Sequence, residues 1–191
     1  SDNDLKKAYK LLSFVNKENP EIMNYDLYFD LINRLADFEA ENGKPTEAEL
    51  FRKKALQYQK FVKNNLLYDK DLFFDVMKLD VNTDIAAQEH IINLQFRLQN
   101  NSSLDIGNLY VKAVFKDGDK IIQTSTQQLY DETRVFKAGA TTPPISISAS
   151  EPYDKNYKPE MDWKIQVYAY KYPKYRVLIF EKLLKKPSLS L

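Results

Sequence analysis

A chain of 191 residues with 28 basic and 27 acidic side chains carries a formal net charge of +1, which argues against a general polyanion-binding surface, and it is long enough to bury a core without staples. It contains no cysteine, so disulfides, thiolate nucleophiles, iron–sulfur clusters and cysteine zinc sites are excluded, while a cytosolic and a disulfide-free periplasmic setting fit equally well. Its four glycines form neither a G-x-G-x-x-G nor a Walker loop, which removes the nucleotide-binding routes that need backbone amides close to phosphate.

The chain opens Ser1-Asp2-Asn3 with no basic or apolar leader pattern, and its longest aliphatic or aromatic run is Val177 to Phe180. It reads as a soluble, trimmed stretch, and the sequence does not show whether a signal peptide or anchor preceded it. Leu5, Ala8, Leu12 and Val15, spaced by three and four, predict a first short helix with Asp4 as its cap. Asn19-Pro20 reads as the start of a second, whose apolar face is Tyr28, Leu31, Ile32, Leu35 and Phe38 and which ends at Asn42-Gly43. Thr46 and Glu49 have the spacing of a capping box for a third helix, with Ala48, Phe51, Ala55, Tyr58 and Val62 on one stripe. Short connections between amphipathic helices demand an antiparallel arrangement. Leu35, Ala36, Gly43, Ala48 and Ala55 together resemble the spacing of a tetratricopeptide repeat, although Arg52 stands where that pattern prefers an aromatic and the closing proline is absent. The resemblance implies protein contact through a concave helical surface.

Residues 68–89 form a junction between this helical segment, 1–67, and a strand-rich segment, 90–191. Leu72, Phe73, Phe74, Val76 and Met77 of the junction need a shared core, and its aspartates read as solvated faces of a helix or strand. A divalent-cation site on Asp69, Asp71 and Asp75, with metal-assisted hydrolysis, is the weaker reading because no calcium-loop glycine or following glutamate accompanies them. From 90 to 191 the pattern is that of strands. Ile92, Leu94, Phe96 and Leu98 alternate with Asn93, Gln95, Arg97 and Gln99, Leu109 to Phe115 alternates again, and Asp117-Gly118 predicts a tight hairpin. A strand from Ile121, another at Ile145, Ile147 and Ala149 behind Pro143-Pro144, a third over Trp163 to Tyr172 and a last from Tyr175 complete about six or seven strands, the content of an immunoglobulin-like sandwich. The fold class is therefore α+β, an antiparallel helical segment followed by an antiparallel β-sandwich.

The order of these features, with Asn100-Asn101-Ser102-Ser103 ending one strand, Leu109 to Phe115 running into Asp117-Gly118, and Phe136 with Ala138-Gly139 before Ile145, resembles the FxLYD-type immunoglobulin-like domains of bacterial envelope proteins. The resemblance implies an extracytoplasmic, non-catalytic interaction or scaffold domain. No residue cluster dictates a reaction. The single histidine, His90, sits where a turn or surface residue is expected and no G-x-S-x-G elbow accompanies it, and the carboxylates of Glu151, Asp154, Glu160 and Asp162 have no spacing that singles out a pair. Neither a catalytic residue, a metal nor a cofactor is assigned. Asn100 and Asn101 both fit the N-glycosylation acceptor pattern.

The C-terminal part interleaves Tyr153, Tyr157, Trp163, Tyr168, Tyr170, Tyr172 and Tyr175 with basic residues, among them Arg176. By the two-residue period Tyr168, Tyr170 and Tyr172 share a sheet face. Cross-strand tyrosine packing is the bland explanation; the functional one is a partner-binding surface of Tyr168, Tyr170, Tyr172, Tyr175 and Arg176 that holds another protein of an envelope complex. A carbohydrate or peptidoglycan fragment stacked on the same tyrosines is the alternative. Nucleic acid is the least favoured ligand, since the basic excess is small.

Overall fold

The computed structural model describes residues 2–18, 25–152 and 162–187, and the side chains of all of these except 2, 3, 15–18, 25 and 26. The expected helix start at Asn19-Pro20 and the loop residues Tyr153, Asp154, Tyr157 and Glu160 lie outside them, as does the side chain of Val15. The chain divides into two compact units, Ser1–Leu66 and Leu67–Leu191.

The first unit is three helices, α1 (Asp2–Glu18), α2 (Tyr25–Glu41) and α3 (Pro45–Asn65). Asp4 lies inside α1 rather than capping it. The predicted α2–α3 turn forms as a Schellman motif: Gly43 takes φ 71°, its N–H donates to Ala40 O at 3.1 Å and the N–H of Lys44 donates to Glu39 O at 2.9 Å. The capping box does not form. Pro45 occupies the first turn, Lys44 becomes the N-cap, and no side chain caps it, so Thr46 is already helical. Small residues Ala36, Ala48 and Ala55 are buried. The rings of Tyr9 and Tyr28 stack at 5.9 Å, and Tyr28 meets Tyr58 at 4.7 Å. Glu39 is enclosed by Lys6 at 2.9 Å and Lys44 at 3.3 Å, and the Lys6 hydrogen bond above all holds its carboxyl below the usual carboxylate range.

The second unit is a sandwich of seven antiparallel strands, β1 (Leu72–Asp84), β2 (Glu89–Asn100), β3 (Tyr110–Asp117), β4 (Lys120–Gln128), β5 (Ile145–Pro152), β6 (Trp163–Tyr170) and β7 (Val177–Leu184). One sheet has the order β1-β2-β5 and the other β4-β3-β6-β7. This is an immunoglobulin-like layout in which the fourth strand pairs with the third rather than with the fifth. Alternation does what it predicts on β2, where Ile92, Leu94, Phe96 and Leu98 are each at most 1% exposed. They interdigitate with Val111, Ala113 and Phe115 of β3 and with Ile165, Val167 and Ala169 of β6. Burial of the largest of these side chains, Trp163, Phe96, Phe115 and Phe136, contributes roughly 2–3 kcal/mol each. Gly118, at φ 56°, opens the two-residue loop that lets Asp117 pair with Lys120.

Residues 68–89, expected as a junction, are instead a short 3₁₀ turn at Asp69–Asp71 and the longest strand of the sandwich. The register of β1 against β2 shifts between Val76 and Lys78, leaving Met77 as an extra residue. Before this bulge Leu72, Phe74 and Val76 lie opposite the core positions of β2, and after it Leu79 and Val81 do. The inward parity therefore changes from even to odd numbers, and no single two-residue period runs through the segment. Phe74 fills the gap between the sheets, stacked on Phe96 at 4.5 Å and on Phe180 at 4.6 Å.

Candidate interaction site

β6 presents two faces. Its inward residues are fully buried, and its outward row is Lys164, Gln166, Tyr168 and Tyr170. Tyr170 lies directly opposite Tyr110 of β3, and the two rings stack at 5.4 Å with their planes 6° apart. That pair leaves Tyr170 only 7% exposed, so it supports the sheet, with about 0.5–1.5 kcal/mol from ring contact, rather than offering a free surface. Tyr168, half-buried, faces Leu178 across β7, and the guanidinium of Arg176 lies 5.8 Å over its ring. β6 ends at Tyr170. Tyr172 is thus not on the strand face, as parity predicted, but in the turn to β7, where the Tyr175 N–H donates to Tyr172 O at 2.9 Å and the two rings approach at 5.8 Å. Tyr172 is 47% and Leu178 43% exposed.

The five residues expected to act together thus form two pairs at the β6–β7 turn, Tyr168 with Arg176 and Tyr172 with Tyr175, while Tyr170 is withdrawn by Tyr110. Lower on the same face, Glu181 accepts from Gln166 Nε2 at 2.6 Å and pairs with Lys164 at 2.9 Å, and Lys164 first, then Gln166, pulls its carboxyl below the ordinary value. This ties β7 to β6 and holds the turn in place. A glycan platform of Tyr168, Tyr170 and Tyr172 in a row is not present in this arrangement.

The structure also assembles a cluster that the spacing of residues did not announce. His90 is 4% exposed, not a surface residue. Its Nδ1 is 3.0 Å from Thr83 Oγ1, and its ring packs edge-on against Trp163 at 5.4 Å. Trp163 Nε1 donates to Glu151 Oε2 at 2.6 Å, and Lys186, itself nearly buried, reaches Asp117 at 2.5 Å and Glu151 at 3.5 Å. Burial lowers the His90 pKa most, Glu151 opposes that shift and Lys186 reinforces it, so the ring is neutral at neutral pH. The signal for His90 was available: it has the parity of Ile92 and Leu94, two residues earlier on the same inward face. The cluster closes one end of the sandwich, and its groups are satisfied by one another instead of facing a cleft.

At the other end of β2, Asn100 is fully buried. Its Nδ2 donates to Leu104 O and Phe136 O, both at 2.9 Å, and its Oδ1 accepts from Ser102 N at 3.0 Å and Ser102 Oγ at 2.7 Å. It is a hub, and burial makes it inaccessible as a glycan acceptor in the folded state. Asp71 Oδ2 accepts the Tyr68 N–H at 3.0 Å, and Asp69 Oδ1 accepts the Lys70 N–H at 2.8 Å. Asp75 is exposed on β1, and among the described residues no three His, Asp or Glu side chains gather in a metal-binding group.

No family model and no curated protein matches the sequence. Among solved structures, a β-glucuronidase of Bacteroides uniformis is 14% identical over 59% of this chain, with a TM-score of 0.38, and the match spans only 12% of that enzyme. A Bordetella pertussis protein assigned as ApaA is 16% identical over 62% of this chain and 95% of its own, with a TM-score of 0.40. The protein AT1g01470 of Arabidopsis thaliana is 15% identical over 61% of this chain and 83% of its own, with a TM-score of 0.40. Likenesses this low carry no property of those proteins to this chain.

Proposed function

We propose that the chain is a non-enzymatic protein-interaction or scaffold module of a bacterial envelope protein. The observation that supports it is the composition of the β6–β7 turn. Tyr168, Tyr172, Tyr175, Arg176 and Leu178 form an aromatic and arginine surface beside the Tyr110–Tyr170 stack, and tyrosine and arginine are enriched among the residues that dominate binding energy at protein interfaces. Charged groups are balanced over the whole chain, which suits a shaped protein contact better than an electrostatic one. The extracytoplasmic setting rests on the resemblance of the features between Asn100 and Ile145 to FxLYD-type domains. The α2–α3 hairpin, with its small buried alanines, is a second surface that such a module would offer, as the tetratricopeptide-like spacing implies.

The test is affinity capture from a bacterial envelope extract with the chain and with a Tyr168→Ala/Tyr172→Ala/Arg176→Ala variant whose folding is checked by circular dichroism. A partner held by the chain and lost at least tenfold by the folded variant is expected. Partners retained equally by both would remove the turn from the interface, and retention on glycan beads alone would favour the carbohydrate reading.

A further inference from the structure

The two sheets leave four edges, on β1 and β5 in one and on β4 and β7 in the other. Exposed ladder groups on an edge are a template for pairing with another chain, and proteins block them with charge, proline or bulges. Two of these edges are blocked along their length, and a third, β5, is bounded by proline and crossed by one side chain. β1 carries the Met77 bulge together with Asp75, Lys78, Asp80 and Asp84. β7 has a register shift opposite Val167/Tyr168 and carries Glu181 and Lys182. β5 begins behind Pro143-Pro144, ends at Pro152, and has the Gln123 side chain donating to Ser148 O at 3.3 Å.

β4 has none of these devices over most of its length. Its one irregularity is at the Lys116 end, leaving Gln123–Gln128 in regular pairing with β3. That segment reads Gln-Thr-Ser-Thr-Gln-Gln, without a charge or a proline, and all but Ser125 of it is exposed. Beyond the β3 ladder, no backbone hydrogen bond engages residues 120–128 among the described residues.

We propose that β4 is a self-association edge: two copies of this chain join their β4 strands antiparallel across a two-fold axis, continuing the four-stranded sheet into one of eight. The segment is complementary to itself. With the axis near Ser125, Thr124 of one copy lies opposite Thr126 of the other on the outward face, so hydroxyl meets hydroxyl and no like charges are opposed, while Gln123 keeps its contact with Ser148 O within its own copy. An isologous contact uses the same edge on both copies, so pairing through β4 closes on itself as a dimer. The β6–β7 turn is at the far side of the same sheet, so the partner surface proposed above and this edge stand or fall separately.

Thr124 and Thr126 point outward and are exposed, so charges there are compatible with the monomer fold. Sedimentation velocity of the 191-residue chain, from micromolar to submillimolar concentration, is expected to pass from 22.4 kDa to twice that mass. Thr124→Lys/Thr126→Lys and Thr124→Glu/Thr126→Glu, each with an unchanged circular dichroism spectrum, are expected to stay monomeric alone and to pair when mixed. Amide exchange in β4 of the unmodified chain, slowing as concentration rises, reads the same contact without a substitution. A chain that stays at 22.4 kDa throughout, a dimer that both variants retain, or a mixture that fails to pair overturns the proposal.

Discussion

The two ends of β2 solve one problem with different chemistry. At each, a polar side chain with the parity of the core points into the sandwich and must be satisfied there. Asn100 is answered by neutral groups, two carbonyls and one serine, in a site with no charge to titrate. His90 is answered by a hydroxyl, an indole ring and a network in which Lys186 sits between Asp117 and Glu151. The first end ties together loops that are distant in sequence. The second ties the tail after β7 to the sheets and holds a neutral, buried His90. A buried amide gives pH-independent closure, and a buried neutral imidazole gives closure that acid weakens.

Substitutions at the two ends put that contrast to the test. The largest effect is expected from Asn100→Ala, which removes four hydrogen bonds from a fully buried position, although Phe136 O keeps the Ile106 N–H and Leu104 O keeps the Ser102 hydroxyl, and is expected to cost about 3 kcal/mol in denaturant unfolding, equally at pH 5 and pH 7.5. A smaller loss, about 2 kcal/mol, is expected for Lys186→Met, since removing one partner of a buried pair is costly but the tail can lift and hydrate the two carboxylates. Third comes His90→Phe. His90 has a folded pKa below its ordinary 6.5, so its contribution is fully present above about pH 6.5 and is lost as pH falls toward the folded value. Melting curves of the wild type should therefore weaken across that window and those of His90→Phe should weaken less; parallel curves would refute the role given to the ring.

The smallest effect concerns Asp131, whose carboxylate accepts from Thr133 N at 2.8 Å, Thr133 Oγ1 at 2.7 Å and Arg134 N at 2.7 Å. These bonds, the Arg134 amide first, lower its pKa to about 2. Its stabilisation is present above the unfolded value near 3.8 and disappears as pH falls through about 2, a window separate from that of His90. Asp131→Asn should flatten only this acid limb, and a change near pH 6 would contradict the assignment.

Much of the fold was legible where a local rule had no competitor. The Gly43 turn, the β2 alternation and the Gly118 hairpin each follow from residues within a few positions of one another. The Thr46 capping box failed because Pro45 claimed the first helical turn. β1 was hidden because the Met77 bulge reverses its parity halfway. His90 was misplaced although its parity was plain, because its acceptability in the core depends on Thr83, Trp163 and Glu151 from three other strands. The tyrosine site was half legible: periodicity placed Tyr168 and Tyr170 on one face, but it could not show that Tyr110 covers the second or that β6 stops before Tyr172.

Sequence alone thus determined the class of fold, the strands with an unbroken period and the tight turns, because those depend on backbone preferences and on the separation of apolar from polar residues over short distances. The tertiary structure decided which polar groups are buried, which tyrosines remain open and which edge lacks a blocking charge. Each of those depends on what a non-adjacent strand brings into contact, and no local pattern encodes it.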